Sequence, residues 1–339
     1  MVRKLKNLLP AARSRLSTIV LSANRHLSGG RYGATPELSE TLSSSGNPII
    51  TARDVTDYGY VSFTADPFLF ISDETWHLFF EIQNGHREPT AVIGHATSEN
   101  GGNDWQYDGV VLKWKRHLAF PFVFESGGTV YMAPGQGGDP ADRSVTLFRA
   151  DPFPHRWVPV TDMISPEYGP LDPIVFKYRD YWWIIVGAGS NDTLYAYYST
   201  ELETDDWRPH EHNPIVTDRT WAGRPAGRPI VTESGVILFL QNNVDQYGDK
   251  VQVYEITGLS PSEYTDEPIR EHSWFEGTGL FGWNSGRMHH VDAQYVTESQ
   301  KWVYVTDGDV KFGRSLLGSC WSIGAYVNED PPFGLVRKE

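Results

Sequence analysis

One motif recurs five times along the chain, and this recurrence limits the possible folds more than any other feature. Each copy joins two short apolar strands through a polar turn, and four of the five copies have a proline at their third residue. Repeated supersecondary units of this kind bury their apolar faces against their neighbours. The copies read ADPFLFISDETWHLFFE (65–81), AFPFVFESGGTVYMAPG (119–135), LDPIVFKYRDYWWIIVG (171–187), GRPIVTESGVILFLQN (227–242) and VDAQYVTESQKWVYVTDG (291–308).

The spacing of the copies indicates an all-β fold class. Aligned on the residue before the proline, or before Ala293 in the fifth copy, they lie 54, 52, 56 and 64 residues apart, at Asp66, Phe120, Asp172, Arg228 and Asp292. Further short apolar segments follow each copy and bring the strands to about four per unit, which is typical of a propeller blade. We therefore predict a five-bladed β-propeller over residues 46–339, in which residues 320–339 complete or cap the last blade.

Residues 1–45 differ from the repeats and are predicted to form a basic N-terminal extension. The first 40 residues contain seven Lys or Arg and two Glu, a net charge of +5, whereas the whole chain has a net charge of −14 and the remainder therefore −19. This extension is either partly helical or disordered, and residues 1–30 could contact an anionic membrane surface or a partner protein. The acidic body argues against nucleic acid as a partner, because it would repel phosphates.

Cysteine usage and hydropathy bear on the cellular compartment. Cys320 is the only cysteine, so no disulfide forms within the chain, and a reducing compartment is favoured. No stretch approaches the roughly 18 consecutive apolar residues of a membrane span, and the basic N-terminus does not resemble a secretory signal. We expect a cytoplasmic protein whose basic extension could place it at the periphery of a membrane.

The geometry of a propeller makes residues that are distant in sequence neighbours in space. The innermost strand of each blade lines a central channel, so equivalent positions form a ring at one mouth of that channel. Asp66, Asp172 and Asp292 would share such a ring with Arg228. The cost of burying an unpaired carboxylate favours a functional pocket for this ring. The alternative is local, because an aspartate before a proline can accept backbone N–H bonds and fix a turn.

Other polar residues near the strand ends extend the candidate pocket. Glu81 and Asp307 end the second strands of the first and fifth units, 15 residues after the ring positions, where strand alternation would let them face either the same mouth or the outside. His289 and His290 would point to opposite faces of a strand, and we assign His290 to the pocket. The alternatives are a structural role for each histidine and a salt bridge between blades for each arginine. The predicted binding residues are Glu81, His117, Arg224, Arg228, His290, Asp292 and Asp307, and neither a metal nor a cofactor is expected.

Six segments together indicate a known family. They read ADPFLF…LFFE, HLAFPFVFE…VYMAP, LDPIVF, AGRP, QYGDKVQVYEITGLSPSEY and HHVDAQ…DGD. They resemble the propeller region of plant-type glucosamine inositolphosphorylceramide transferases, over residues 47–309. The QYG…VYEI and HHVDAQ…DGD elements are the more specific of the six. That region is in turn similar to five-bladed glycoside hydrolases of the arabinanase/xylosidase type.

The resemblance implies roles for two of the aspartates. Those hydrolases use an aspartate base on the first blade, a second aspartate that modulates pKa, and a glutamate acid. By this resemblance Asp66 matches the base and Asp172 the modulator. No residue matches the acid, because YMAPG (131–135) is followed by Gln136, where related propellers tend to have a glutamate. The plant-type proteins also contain a separate glycosyltransferase module, so transferase activity is not inferred for this chain.

Two functions follow from the sequence. The first is a carbohydrate-active enzyme, hydrolase-like or linked to glycosyl transfer, with Asp66 and Asp172 as the catalytic pair in a glycan pocket at the channel mouth. The second is a non-catalytic glycan-binding or scaffold module beside a glycosyltransferase, which residues 1–30 could contact. The expected ligand is a glycan, a nucleotide-sugar or a glycolipid head group. A purely structural, protein-binding propeller would not explain the charged ring.

Overall fold

The chain folds into five β-sheets around a central channel, as seen in a computed structural model that describes residues 19, 38, 40–137, 143–279, 281–311 and 318–334. Within these residues, twenty strands form the sheets, each sheet is built from consecutive strands, and the strands pair in antiparallel fashion. First strands of neighbouring blades contact one another around the channel, and between blades four and five the N–H of Val291 donates to the Ala226 carbonyl at 2.8 Å. The predicted five-bladed β-propeller is therefore confirmed.

The blades follow the five sequence repeats in order. Blade one contains β1 (Phe63–Ser72), β2 (Thr75–Gln83), β3 (Ala91–Ser98) and β4 (Gln106–Leu112). Blade two contains β5 (His117–Ser126), β6 (Thr129–Gly137), β7 (Val145–Ala150) and β8 (Trp157–Ile164). Blade three contains β9 (Leu171–Tyr178), β10 (Tyr181–Ala188), β11 (Thr193–Ser199) and β12 (Arg208–Pro209).

The last two blades are less regular. Blade four contains β13 (Ile230–Val231), β14 (Val236–Asn242), β15 (Lys250–Ser260), β16 (Glu263–Pro268) and the short β17 (Phe275–Glu276), which pairs with β15. Blade five contains β18 (Val291–Val296), β19 (Lys301–Asp309) and β20 (Trp321–Asn328), and a 3₁₀ turn follows at Pro332–Gly334. Because β20 pairs with β19, the segment from residue 320 completes the blade, which was one of the two predicted arrangements.

The segment before the first repeat closes the ring of blades. Residues 40–50 run along the free edge of β20 as an interrupted fourth strand of blade five. Thr41 forms an antiparallel bridge with Tyr326. The Asn47 side chain bonds both backbone groups of Ala325, at 2.9 and 3.1 Å. Both ends of the propeller are thus joined within one sheet.

Most of the predicted basic extension, residues 1–45, lies outside the described residues. Its described end packs on the propeller, because Leu38 is buried among apolar residues of blades four and five. A helical or membrane-contacting N-terminus stays a prediction. Within the described part of the chain, no helix has the length and apolar character needed to cross a membrane.

A β-bulge shapes the inner strand of the first three blades. The residue before the proline has a left-handed backbone in each, with φ of 52° at Asp66, 46° at Phe120 and 49° at Asp172. The register against the second strand shifts at the same points. Residues other than glycine adopt this conformation at an energetic cost, and such residues concentrate at functional sites. In blade five, by contrast, Asp292 pairs with Val305 in unbroken register.

An aromatic layer fills the channel between its two ends. The rings of Phe120 and Phe122 lie 4.9 and 5.4 Å from Phe68, and the His290 ring lies 4.7 Å from Phe68. All four side chains are at most 1% exposed. We call the end where β1 begins the first mouth and the end where β1 finishes the second mouth. Because the aromatic layer lies between them, the two mouths are separate sites.

Candidate functional site

Four carboxyl groups converge at the first mouth. Asp66 and Asp172 come from the bulges of blades one and three, whereas Glu81 and Asp307 come from the ends of β2 and β19. None of the four is more than 6% exposed. They act on one another electrostatically, which shows that they form one cluster. The predicted residues that the structure brings together here are Asp66, Glu81, His117, Asp172, Arg224 and Asp307.

An arginine and an amide hold Asp172 in place. Arg224 donates to both carboxylate oxygens, from Nε to Oδ2 at 2.6 Å and from Nη2 to Oδ1 at 3.0 Å. The side-chain amide of Gln241 donates to Oδ2 at 3.0 Å, and Arg224 also donates to the Asn191 side chain at 2.9 Å. A Cβ on Gly187 would lie 3.2–3.3 Å from Arg224 carbons, so glycine here leaves room for the arginine. The salt bridge considered from the sequence is therefore formed at the mouth itself.

His289 forms a charged pair with Asp307 and faces Asp66. Its Nδ1 lies 2.7 Å from Asp307 Oδ2, and its Nε2 lies 3.6 Å from Asp66 Oδ1. Burial works to lower the pKa of His289, but the Asp307 carboxylate outweighs burial and raises that pKa. Burial likewise works to raise the pKa of Asp307, but His289 outweighs it and lowers that pKa. The two residues therefore form an imidazolium–carboxylate pair when His289 is protonated, and their contact favours that state.

His290, the histidine assigned to the pocket from the sequence, lies behind Asp66. It donates from Nε2 to the backbone oxygen of Pro67 at 2.8 Å and packs on the aromatic layer. Burial lowers the pKa of His290 to about 4, so the ring is neutral near pH 7. Its Nδ1 is 4.0 Å from Asp66 Oδ1. His290 thus packs on the aromatic layer next to Asp66, whereas His289 is the histidine that pairs with Asp307.

Asp66 and Glu81 are the two carboxyl groups that retain protons most strongly. Burial is the main cause in both. It raises the pKa of Asp66 to about 7, with Asp172 and Asp307 adding to the effect and His289 opposing it. Burial and then the charge of Asp66 raise the pKa of Glu81 well above its usual range. Carboxyl groups whose pKa values are displaced toward neutrality suit acid–base chemistry.

His117 borders Glu81 at the rim of the cluster. Its Nε2 lies 3.5 Å from Glu81 Oε1, and its Nδ1 lies 3.1 Å from the Thr90 hydroxyl. Burial lowers the pKa of His117, although 26% of the side chain remains exposed. A neutral imidazole in this place can exchange hydrogen bonds with the Glu81 carboxyl and with a bound ligand.

Arg228 and Asp292 lie at a different level of the channel. Arg228 donates to both Asp292 oxygens, at 2.8 Å from Nε and 3.2 Å from Nη2. Asp292 Oδ2 also accepts from the backbone N–H of Leu69 at 2.8 Å, three residues further along β1 than Asp66. The prediction of a single ring with three aspartates and an arginine is therefore corrected to two sites at opposite ends of the aromatic layer.

The bulges explain this difference in level. In blade one, Phe79 lies two residues before Glu81 and pairs with Phe68, because the bulge adds one residue to β1. In blade five, which has no such bulge, Val305 lies two residues before Asp307 and pairs with Asp292. Asp292 is consequently level with Phe68 and not with Asp66.

Three further residues at the first mouth were not assigned to it from the sequence. Gln241 occupies the second-strand position equivalent to Glu81, so the repeat alignment contained the signal for it. His289 was set aside in favour of its neighbour. Tyr247 lies between β14 and β15, and its ring is 5.3 Å from the Arg224 guanidinium and 5.6 Å from the His289 ring. No repeat marks Tyr247, because it belongs to a connecting loop.

The first mouth contains one compact set of possible metal ligands. Asp66, His289 and Asp307 each offer an atom, and these atoms lie within 4.8 Å of one another. Two carboxylates and an imidazole are able to bind a divalent cation when the imidazole is neutral. Protonation of His289 satisfies the same carboxylates without an ion, so the donor set alone does not require a metal.

Five blades around a channel, with buried carboxyl groups at one mouth, place the chain among the five-bladed β-propellers, a fold that glycoside hydrolases of known structure also have. The catalytic domain of the Coprinopsis cinerea GH62 α-L-arabinofuranosidase has a similar fold, with a TM-score of 0.63. The match covers 87% of this chain and 98% of that domain at 13% sequence identity, so it shows the fold alone.

The chain belongs to the family described as glucosamine inositolphosphorylceramide transferase 1, N-terminal, whose sequence model matches residues 39–309. Glucosamine inositolphosphorylceramide transferase 1 of Oryza sativa subsp. japonica is 33% identical over 285 residues, and that of Arabidopsis thaliana is 30% identical over 274 residues. These matches cover 80% and 78% of this chain but only 37% and 34% of the relatives. The family resemblance is confirmed, and it supports a carbohydrate-related role.

Proposed function

We propose that the first mouth binds a glycan and that Asp66 and Glu81 carry out acid–base chemistry on it. The observation that supports this most is the convergence of four buried carboxyl groups at one mouth of the channel, where burial raises the pKa values of Asp66 and Glu81. Glycoside hydrolysis requires one carboxyl group that donates a proton to the leaving oxygen and a second that activates water or attacks the sugar. Two carboxyl groups with displaced pKa values can meet that requirement.

The local contacts suggest how the roles divide. Glu81, whose pKa burial raises well above its usual range and which lies beside His117 at the rim, is the proposed acid and supplies the proton donor that the sequence alone did not identify. Asp66, with a pKa of about 7, is substantially ionised at neutral pH and is the proposed base or nucleophile. Asp172 raises the pKa of both and orients Arg224 toward the ligand. In this arrangement Asp172 modulates the pKa values of Asp66 and Glu81, which is the role that the resemblance implied for it.

The proposed ligand is a glycan, a nucleotide-sugar or a glycolipid head group. The relatives are named glucosamine inositolphosphorylceramide transferases, and that name favours a glycolipid context. Because this chain spans about a third of the length of those relatives, their transferase activity is not assumed for it. Arg224 suits a sugar hydroxyl or a phosphate of such a ligand.

A non-catalytic glycan-binding module is the second candidate. The low exposure of the carboxyl groups favours it, because all four are at most 6% exposed whereas Tyr247 is 43% exposed. A ligand would then contact mainly the tyrosine ring, His117 and Arg224. Aromatic rings next to hydrogen-bonding groups bind sugars without any bond being broken.

A combined screen separates the two candidates. Wild type and the variants Asp66→Asn and Glu81→Gln are tested on a glycan array and on a panel of chromogenic glycosides, with Asp180→Asn as an exposed control on blade three. The enzyme proposal expects turnover that falls about 10²–10⁴-fold in both site variants and is unchanged in the control. Glycan binding without turnover in any protein would establish the binding module instead. Turnover that survives Asp66→Asn would refute the role of Asp66.

A further inference from the structure

The second mouth contains a cavity that the proposed function does not use. Its volume is about 580 Å³, and it lies between the final residues of β1, β5 and β18 and the start of β13. This size falls within the usual range for small-molecule sites, roughly 300–1,000 Å³. The residues that characterise it are Phe70, Phe124, Arg228, Gln294, Tyr295 and Trp302.

The polar floor of this cavity is rigidly built. Asp292 is fully buried, and its Oδ2 accepts hydrogen bonds from the guanidinium of Arg228, the amide of Gln294 and the backbone N–H of Leu69. Arg228 also donates to the Leu69 carbonyl, and so does the Gln294 amide nitrogen. These contacts fix both side chains before any ligand arrives, which reduces the entropic cost of binding.

Two hydrogen-bonding atoms of the floor remain available to a ligand. Within the described residues, Nη1 of Arg228 and Oε1 of Gln294 have no hydrogen-bond partner, although the other polar atoms of both side chains are bonded. Both residues line the cavity, and the Arg228 side chain is 19% exposed. The floor therefore offers one donor and one acceptor, each on a side chain that its other hydrogen bonds hold in place.

The charge of this floor excludes some ligands. Arg228 is neutralised by Asp292, so the pair has no net charge with which to attract an anion. Glu125 and Glu298 also line the cavity, and both are exposed. A phosphate or carboxylate group would be repelled by these side chains, whereas an uncharged hydroxyl group would not.

The walls of the cavity add aromatic surface. Phe70, Phe124, Tyr295 and Trp302 line it, and the rings of the last two lie 5.7 Å apart. A flat apolar ring beside a fixed donor–acceptor pair matches a sugar ring, which has apolar C–H faces and hydroxyl groups along its edge. We propose that the second mouth is a separate binding site for an uncharged sugar ring, independent of the carboxyl cluster at the first mouth.

The proposal is tested with sugars of defined charge. Wild-type protein is titrated by calorimetry and by ligand-observed NMR with neutral mono- and oligosaccharides and with their phosphorylated counterparts. Arg228→Lys keeps a cation beside Asp292 but removes Nη1, and Trp302→Leu removes the aromatic wall. The control Trp221→Leu alters a tryptophan that is 46% exposed and lies outside the cavity. Thermal melting confirms that each variant is folded.

The expected result is that at least one neutral sugar binds and that both cavity variants weaken this binding about tenfold or more, equal to about 1.4 kcal/mol. Trp221→Leu and the first-mouth variant Asp66→Asn should leave it unchanged. Loss of binding in Asp66→Asn alone would assign the sugar to the first mouth and overturn the proposal. Preferential binding of phosphorylated sugars, or no binding by any neutral sugar in the panel, would overturn it as well.

Discussion

The two mouths of the channel are built around the same motif, an aspartate that accepts two hydrogen bonds from one arginine. At the second mouth, Arg228 and Asp292 neutralise each other and stand apart from the carboxyl cluster. At the first mouth, Arg224 and Asp172 are joined by three further carboxyl groups and by a single charged histidine. Buried charge is therefore balanced at one end and in excess at the other.

This difference indicates what each end can do. Burial, together with the neighbouring carboxylates, raises the pKa values of Asp66 and Glu81, and carboxyl groups with raised pKa values suit proton transfer at physiological pH. The Arg228–Asp292 pair contributes fixed hydrogen-bond geometry instead. The aromatic layer around Phe68 keeps the two environments apart within one channel. One fold can thus present a reactive end and a binding end.

The largest expected effect comes from removing one cation from each mouth. Arg228→Met leaves the fully buried Asp292 without its charged partner and should cost about 3–5 kcal/mol in urea denaturation. Adding Asp292→Asn should recover most of this loss, because the amide keeps hydrogen bonds but needs no counter-charge.

The matched change at the first mouth should differ in how its pH dependence responds to a second substitution. Arg224→Met removes a positive charge that lowers the pKa values of Asp66 and Glu81, so its cost should increase with pH. The cost of Arg228→Met should also increase with pH, because the unpaired Asp292 carboxylate is fully buried, but adding Asp292→Asn should abolish this increase. Adding Asp172→Asn to Arg224→Met should not abolish it, because Asp66 and Glu81 remain at the first mouth. Equal pH profiles for the two double variants would contradict the distinction between the mouths.

A second effect isolates the raised pKa of Asp66. A carboxyl whose folded-state pKa is about 7 stabilises the protein fully below its unfolded pKa, and this contribution is lost as pH rises toward 7. The stability of Asp66→Asn relative to wild type should therefore increase by roughly 2–3 kcal/mol between pH 5 and pH 7. Asp180→Asn, which changes an exposed carboxylate, should show no such trend. A flat difference curve for Asp66→Asn would refute the raised pKa.

The smallest effect concerns the space that the first mouth reserves for its arginine. Gly187→Ala should cost about 1–2 kcal/mol, because the new Cβ would lie 3.2–3.3 Å from Arg224 carbons and displace them. Gly169→Ala is the control, since a Cβ there would meet nothing within 4 Å. Similar melting temperatures for the two variants would show that Gly187 has no such role.

Much of the fold and part of the site could be predicted from the repeat. Alignment of the five copies placed the blades and brought Asp66, Asp172, Glu81 and Asp307 to one mouth. It succeeded for these residues because hydrophobic period and turn residues are local properties that the sequence displays directly.

The alignment failed where backbone geometry changes between blades. Asp66 and Asp172 sit in left-handed bulges, whereas Asp292 continues a regular strand. A proline follows the first two and not Asp292, but it does not by itself predict the bulge, because Arg228 also precedes a proline without adopting a left-handed backbone. The choice between His289 and His290 failed for a related reason. Their orientation depends on how the chain enters β18, and alternation predicts only that they diverge. Loop residues such as Tyr247 lie outside the repeated motif, so an alignment of its copies contains no information about them.

The pairing of residues 40–50 with β20 has a consequence for how the molecule folds. The contacts of Asn47 with Ala325 join residues 278 apart in sequence, so the ring closes only when nearly the whole chain has been synthesised. Contacts of such long range form late because of the entropy lost in bringing distant segments together. Blades one to four can assemble from local hairpins while residues 40–50 wait for β20 to form. Deletion of residues 40–50 should therefore speed unfolding more than it slows refolding, and it should expose the edge of β20 to aggregation.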